Sequence, residues 1–474
     1  MKFRALIPRH LNPSCASHSL PTHTHIPTPA DPPRTDSVLT PPQPPQDPEA
    51  LDTCAPLPRP RIWPHLLATH LVIATSFGLI QATSTLTPSY PARLHASSTA
   101  VSWIASTPVF LAYALAPATP YILHYICLNH LLLVGAACQV VGLVVAGCTH
   151  SYGVTLVFQG VLVGVGHGVT FAPAVARLAM LVGGVKWKTT VLSLAGCGAG
   201  TGGMVFASLA RGAMERLGVA RVLWVAGGVV GVNAVVVQVL LRWAGVDEEK
   251  LGEDVAHEDE VLTRSWAVWQ LLKNRTLVLY TIAIFFTFVG LWIPYFDVRT
   301  FAVDALDMDS FDCFAVLMIL NTSGIPGRIV PALLADSVLG TINTYILVLL
   351  STSTVLLCWP LVKSGAGMFV WAGSYGFFSG GTATLVQAGV LSLCDDKRRI
   401  GLHIGIVFGA AGAASLVITP VGGELIKSGA QLLESGMEPF LLLQLCTGGA
   451  MLLGCAALIA ARAARIGWAA AVRI

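Results

Sequence analysis

The amino-acid sequence predicts an all-α membrane protein whose twelve transmembrane helices form two six-helix bundles. Hydrophobic residues make up 54% of the chain and charged residues only 11%, whereas a soluble domain averages about 25% charged residues. From Trp63 onward, twelve apolar stretches follow one another, and most approach the roughly 20 residues that a helix needs to cross a bilayer. A polar interval from Arg242 to Arg275 divides these stretches into two sets of six.

The predicted spans define two bundles and a connecting loop. The first six are expected at residues 63–85, 101–123, 131–148, 154–175, 190–210 and 219–241. The second six are expected at 276–297, 312–334, 344–361, 367–391, 401–425 and 439–461. The bundles then occupy residues 62–242 and 276–466. The intervening residues 243–275 contain the charge run DEEKLGEDVAHEDE, which is typical of a solvated linker.

The two ends of the chain differ from the bundles. Residues 1–61 are rich in Pro, Ser, Thr and His, a composition that favours a disordered tail. Because no apolar segment follows Lys2 and Arg4, this region is not expected to be a signal peptide. Residues 467–474 form a short C-terminal tail. Lys and Arg are concentrated in one set of loops, which predicts that both termini are cytoplasmic, in a plasma-membrane protein. Three arginines oppose this pattern on the predicted outer side: Arg211, Arg216 and Arg221.

Composition also limits the partners and the chemistry. The net charge of +3 is small, so nucleic acid is not expected as a partner. The eleven cysteines are scattered without a C-x-x-C pair, which favours buried apolar cysteines over a disulfide framework or a metal site. We find no H-E-x-x-H and no G-x-S-x-G in a workable context. An enzyme or a cofactor is therefore not expected; the expected partners are a small molecule and the lipid bilayer.

One arginine lies inside a predicted span. Arg328 stands in NTSGIPGRIVPALLAD, and insertion scales put the cost of such a charge at roughly 2.5–3.5 kcal/mol at mid-span. It is either a functional residue or a side chain that extends to the headgroups from a helix end. Other polar residues in the spans should face protein or a water-filled cavity: His70, Gln81, His167, Asn321 and Gln387. For His167, interhelical hydrogen bonding and proton carriage both remain open.

Glycines crowd two of the predicted spans. The fourth contains GVLVGVGHGVTFAP and the fifth contains AGCGAGTGG. Small residues at such spacing let helix backbones approach closely, and this packing drives helix association in lipid. The same glycines are also candidates for bending or sliding during a conformational cycle. The sequence leaves both interpretations open.

Several motifs together resemble one family. They are GRIVPALLAD at 327–336, GFFSGG at 376–381 and IGLHIGIVFGAAGAASLVITPVGGEL at 400–425. With these motifs, nearly all of the chain after residue 63 resembles the monocarboxylate porter branch of the major facilitator superfamily, particularly its fungal members. The resemblance implies an alternating-access carrier for small organic anions, commonly proton-coupled, with substrate bound between two halves of the major facilitator fold.

The resemblance also assigns expected roles to residues. Arg328 matches the helix-eight arginine that meets the substrate carboxylate, and guanidinium suits that partner. We expect further polar contacts from Gln81, Asn321 and Gln387, and candidate proton carriers in His70 and His167. The loop motifs of the family are matched in part by Asp336, Gly340, Lys186 and Lys188.

The chain departs from the family pattern at two important positions. Gly324 stands where those carriers place an aspartate, and Gln81 appears at the position of their helix-one lysine. These departures favour a larger, weakly acidic metabolite over a lactate-type substrate, and export over import. The alternative is a non-transporting membrane sensor or partner-binding protein that keeps the transporter fold.

Overall fold

The computed structural model describes residues 62–244, 273–393, 400–432 and 439–467. The predicted tail at 1–61, most of the predicted linker and the last seven residues lie outside the described residues. The described parts of the chain are helical, with short turns between helices. Each long helix is given below with its short 3-10 and π turns included.

Eleven described helices are long and apolar enough to cross a membrane. The N-terminal half contains α1 (Ile62–Leu94), α2 (Ser98–Ala118), α3 (Leu128–Cys148), α4 (Tyr152–Val182), α5 (Lys188–Met214) and α6 (Arg216–Trp243). The C-terminal half contains α7 (Arg275–Asp304), α8 (Ser310–Leu339), α9 (Thr341–Leu361), α11 (Ile400–Gly429) and α12 (Leu441–Ile466). Between α9 and α11 lies the 29-residue helix α10 (Gly365–Leu393), which occupies the place of the tenth predicted span. The described residues thus contain the predicted two sets of six helices.

The helices extend beyond several of the predicted spans. The first span was expected to end at residue 85, whereas α1 continues to Leu94. The expected loop between the fifth and sixth spans is reduced to a tight corner at Gly218, whose φ of 73° is favourable for glycine. Apolar run length predicts where a helix crosses the hydrocarbon core. It does not predict how far the helix continues among polar residues.

One of the three unexpected outer arginines has a structural explanation. Arg211, near the end of α5, donates from Nη1 to the backbone oxygen of Ser310 at 2.8 Å. Its guanidinium also lies 5.2 Å and 4.8 Å from the ring centroids of Phe311 and Phe314, within the range of cation–π attraction. Arg211 therefore joins α5 of the N-terminal half to the start of α8.

The glycines of α5 contact three neighbouring helices on two faces of α5. A Cβ on Gly202 would lie 2.8 Å from the Cα atom of Ala74 in α1, so these backbones are in direct contact. The other face is formed by Gly196, Gly200 and Gly203, which lie against α8 and α10. The packing interpretation therefore holds on both faces, since any side chain would separate the helices.

Several helices have local interruptions along their length. Three of these interruptions lie at Ala82 in α1, at Cys197 in α5 and at Trp292 in α7. In α7 the following segment begins with Ile293 and Pro294, and proline lacks the N–H that would continue the preceding helix. These interruptions lie next to residues that the sequence marks for function.

Candidate functional site

Arg328 is buried between the two halves. Its side chain is only 2% exposed, and its Nη1 donates to the backbone oxygen of Gly324, one turn earlier, at 2.9 Å. A Cβ on Gly200 would lie 3.5 Å from this Nη1 atom, and a Cβ on Gly196 would lie 3.9 Å from Cδ. The guanidinium therefore occupies space left by the glycine face of α5. It turns back toward Gly324, away from the nearer helix end, which contradicts the headgroup interpretation.

No acidic side chain balances this charge within the described ranges. The ion pair formed within these ranges joins Lys427 to Glu424 at 2.6 Å, and both of these side chains are more than half exposed. Among the described residues, the guanidinium donates a hydrogen bond to the backbone oxygen of Gly324. A buried cation without a counter-charge is costly. The arrangement is suited to an anion that supplies both the charge and the missing acceptors.

Gln81 and Asn321 lie next to each other beside Gly203. A Cβ on Gly203 would overlap Oδ1 of Asn321 and lie 3.0 Å from Oε1 of Gln81. Asn321 donates from Nδ2 to the backbone oxygen of Leu317 at 2.9 Å. The two amide oxygens are buried and accept no hydrogen bond from the described residues. Both oxygens therefore lie against Gly203 and remain unused hydrogen-bond acceptors.

The structure brings Arg328, Gln81 and Asn321 to one face of α5, but it records no contact between Arg328 and Gln387. Gln387 lies on α10 and is 7% exposed. On α10, Thr384 lies about one turn before Gln387. The methyl group of Thr384 lies against Gly196 of α5. A role for Gln387 in substrate binding stays a prediction.

The two candidate proton carriers have different surroundings. His70 of α1 is half-buried; its Nδ1 lies 3.1 Å from the backbone oxygen of Leu194, and its Nε2 lies 3.1 Å from Oγ1 of Thr201. His167 of α4 is fully buried, and neither of its ring nitrogens has a hydrogen-bond partner among the described residues. His70 is thus tied to α5 on both sides of the break at Cys197. His167 therefore makes no interhelical hydrogen bond with the described residues.

The predicted loop residues lie near the start of α5 and the end of α8. The carboxylate of Asp336 accepts hydrogen bonds from the backbone of Thr189 and Thr190, directly after Lys188. Lys186 is exposed, and its Nζ lies 5.7 Å from the ring centroid of Trp187. Gly340 has φ 80° before the first turn of α9, a conformation that strains other residues. Sequence reasoning placed Asp336 in a loop motif but did not identify its helix-capping partners.

Aromatic side chains at the boundary between the halves were not identified as a site from sequence. Phe77 of α1 stacks on Trp292 at the break in α7, with ring centroids 5.9 Å apart and planes at 17°. Tyr113 of α2 contacts Phe288 of α7 and Phe408 of α11, at 5.2 Å and 5.4 Å. The segment LWIPYF at residues 291–296 combines Trp292 with Pro294, and it was the signal available in the sequence.

Comparisons with known proteins agree on the architecture. Residues 66–420 match the family described as Major Facilitator Superfamily. An MFS-type transporter of Gibberella zeae is 25% identical over 84% of this chain and 86% of its own length. The agnestins efflux protein AgnL12 of Paecilomyces divaricatus is 26% identical over 77% of this chain and 78% of its own length. The crystal structure of the human organic anion transporter MFSD10 superposes with a TM-score of 0.60, at 13% identity, over 85% of this chain and 99% of that one.

Proposed function

This chain belongs to the major facilitator superfamily, and we propose that it is an alternating-access exporter of a weakly acidic organic molecule. The observation that carries this proposal is Arg328, a buried guanidinium without a carboxylate partner in the described ranges. It lies where α5 of one half meets α8 of the other. Arg328 would bind the acidic group of the substrate, because a charge-assisted pair with an anion offsets the cost of burying the guanidinium.

The contacts between the halves support a conformational cycle. At the level of Arg328 the halves meet through glycine, so separation there breaks van der Waals contacts and few hydrogen bonds. At the end of α8, Asp336 binds the first turn of α5. Opening at this end would break those charge-assisted bonds. Substrate binding between the halves near interrupted helices is the arrangement that transporters of this kind use.

Export is favoured by sequence and by relatives. The chain lacks the aspartate and the lysine that accompany the arginine in monocarboxylate carriers: Gly324 and Gln81 stand there. A relative at 26% identity is named as an efflux protein for agnestins. We therefore place the protein as a monocarboxylate porter-like exporter of the plasma membrane, with both termini in the cytoplasm.

Proton coupling is assigned to His70 because its hydrogen bonds suit both protonation states. The acceptor at Leu194 requires Nδ1 to carry a proton. In the neutral ring, Nε2 accepts from the hydroxyl of Thr201. In the charged ring, Nε2 donates to that hydroxyl, which donates in turn to the backbone oxygen of Gly198, 3.1 Å away. The ring nitrogens of His70 therefore keep their hydrogen-bond partners in both protonation states, whereas those of His167 have no partner among the described residues.

Transport by purified full-chain protein in vesicles tests this proposal. We would measure counterflow of labelled organic acids by the parent chain and by Arg328→Ala and Arg328→Lys variants. We expect Arg328→Ala to lower transport about 10- to 100-fold, as for loss of a hydrogen bond to a charged group. Arg328→Lys should retain part of the transport activity, because lysine keeps the positive charge but lacks the planar guanidinium group.

The control is Arg221→Ala, which removes an exposed arginine at the start of α6 and should leave transport unchanged. Unaltered counterflow by Arg328→Ala would contradict the anchoring role. Absence of counterflow for every organic acid by the well-folded parent chain would favour the second candidate, a sensor or partner-binding protein that keeps the transporter fold.

A further inference from the structure

Aromatic rings form a buried cluster where the two halves meet. Three come from the N-terminal half and three from the C-terminal half, and each is 5% exposed or less: Phe77, Tyr113, Phe171, Phe288, Trp292 and Phe408. The rings contact each other across the boundary, through Phe77–Trp292, Tyr113–Phe288, Tyr113–Phe408 and Phe171–Phe408. Alternating access separates the halves in each cycle, so these contacts break and re-form. A planar ring supplied by a ligand would replace them with contacts of the same kind.

Unpaired polar atoms border this cluster. The indole Nε1 of Trp292 is buried and donates to no acceptor in the described ranges. Gln81 follows Phe77 by one helical turn and so lies on the same face of α1. The Gln81 oxygen and its neighbour, Oδ1 of Asn321, accept no hydrogen bond from the same residues. One hydrogen-bond donor and two acceptors beside the cluster therefore have no partner among the described residues.

An aromatic cluster within one half provides a comparison. Trp371 stacks on Tyr375 with centroids 5.2 Å apart and planes at 3°. Nε1 of Trp371 donates to the backbone oxygen of Val355 at 2.8 Å, and the hydroxyl of Tyr375 donates to the backbone oxygen of Leu291 at 2.7 Å. Nε1 of Trp359, whose ring stacks on Trp371, has no partner among the described residues. An unpaired indole N–H therefore occurs in both clusters, and the boundary cluster differs in that its rings come from both halves.

The spacing of the polar groups indicates what a ligand must present. The guanidinium of Arg328 lies at the level of Gly200, and the two amide oxygens lie at the level of Gly203. Three residues on one helix correspond to about 4.5 Å along its axis. Gln81 shares a face of α1 with Phe77, so the polar groups and the rings lie in one region of the boundary between the halves. A single ring that carries both an acidic group and a hydroxyl is large enough to reach both levels.

We infer that the substrate is an aromatic acid carrying at least one hydroxyl group. Its ring packs against Phe77 and Trp292 in place of their contact with each other, its acidic group binds Arg328, and its hydroxyl donates to Gln81 or Asn321. The indole Nε1 of Trp292 donates to an oxygen of the same ligand. This inference rests on the proposed export function and specifies its substrate class.

Matched small acids test the inference on the full-chain protein in detergent and in vesicles. The probes are 4-hydroxybenzoate, benzoate, which lacks the hydroxyl, and 4-hydroxycyclohexanecarboxylate, which lacks the aromatic ring. Binding is measured from tryptophan fluorescence and from ligand-induced thermal stabilisation, and transport from counterflow. We expect 4-hydroxybenzoate to bind about 10-fold more tightly than either analogue, because each analogue leaves part of the site unpaired.

Two substitutions locate the recognition. Trp292→Phe keeps an aromatic ring and removes the indole N–H, and Phe77→Leu removes the stacked ring. Each should lower affinity for 4-hydroxybenzoate about 10-fold, and Phe77→Leu should also abolish the preference over the cyclohexane analogue. The matched control is Trp371→Phe, which removes a paired indole N–H within the C-terminal half. It should leave the preference among the three acids unchanged.

The outcomes separate this inference from the proposed function. Equal binding of the aromatic and saturated acids, with transport still dependent on Arg328, would overturn the substrate class and leave the export function standing. The same conclusion follows if an aliphatic acid is transported through Arg328 while 4-hydroxybenzoate does not bind. If no organic acid binds or moves, both proposals are wrong.

Discussion

The carboxylate of Asp336 accepts two hydrogen bonds from Thr190, one from the backbone N–H at 2.7 Å and one from the hydroxyl at 2.8 Å. A third bond comes from the backbone N–H of Thr189 at 3.3 Å. A negative charge at the N-terminus of a helix interacts favourably with its dipole and with N–H groups that have no partner inside the helix. This contact therefore joins α8 of one half to α5 of the other at the end nearest Lys188.

Asp336→Asn should weaken this junction between the halves. The amide loses the charge and one acceptor oxygen, a change that costs roughly 1–2 kcal/mol for a charge-assisted bond. We expect amide hydrogens in the first turns of α5 to exchange about 10-fold faster. Hydrogen exchange measured by mass spectrometry checks this, with Asp304→Asn, an exposed carboxylate at the end of α7, as the control. Identical exchange in both variants would contradict a role for Asp336 in closing this end.

Gly203→Ala should disrupt the site by steric overlap. The new methyl group would overlap the Asn321 side-chain oxygen and crowd that of Gln81. We expect transport to fall about 10-fold or more at normal expression. Alanine favours a helix interior over glycine by about 1 kcal/mol, so helix stability itself should not suffer. Gly212→Ala is the control, since its Cβ would meet nothing within 4 Å; an equal loss in both variants would argue against a specific role for the space beside Gly203.

Gly324→Asp should give Arg328 an internal counter-charge. A Cβ at this position would lie 2.7 Å from Nη1 of Arg328 and 3.3 Å from the backbone oxygen of Gly376, so the carboxylate would compete with an anionic substrate. We expect Arg328-dependent transport to fall about 10- to 100-fold, the range for a hydrogen bond to a charged group. Gly324→Asn fills the same space without a charge and should lower this transport much less. Comparable transport by the two variants would show that size, not charge, matters here.

His70→Gln should remove the response of transport to a pH gradient. Glutamine can still bond to Leu194 or Thr201 but cannot carry a proton at neutral pH. Counterflow without a gradient should persist, while gradient-driven export should fall to the level seen without a gradient. His130→Gln alters an exposed histidine of α3 and serves as the control. Retained gradient dependence in His70→Gln would mean that the proton is carried elsewhere.

The sequence by itself determined the membrane class and the helix count. The length of an apolar run reflects the cost of placing polar groups in hydrocarbon, and this cost acts on each segment before any tertiary contact forms. The same cost identified Arg328, Gln81 and Asn321, which the structure places around one face of α5.

Only the tertiary structure decided which groups meet. The break at Trp292, the stacking of Phe77 on that ring and the binding of Thr190 by Asp336 all join residues far apart in the chain. The sequence run AGCGAGTGG likewise does not reveal that its glycines pack against three different helices. Local composition specifies the cost of burying a side chain. Which neighbour occupies the space beside it depends on packing between helices, which only the folded chain determines.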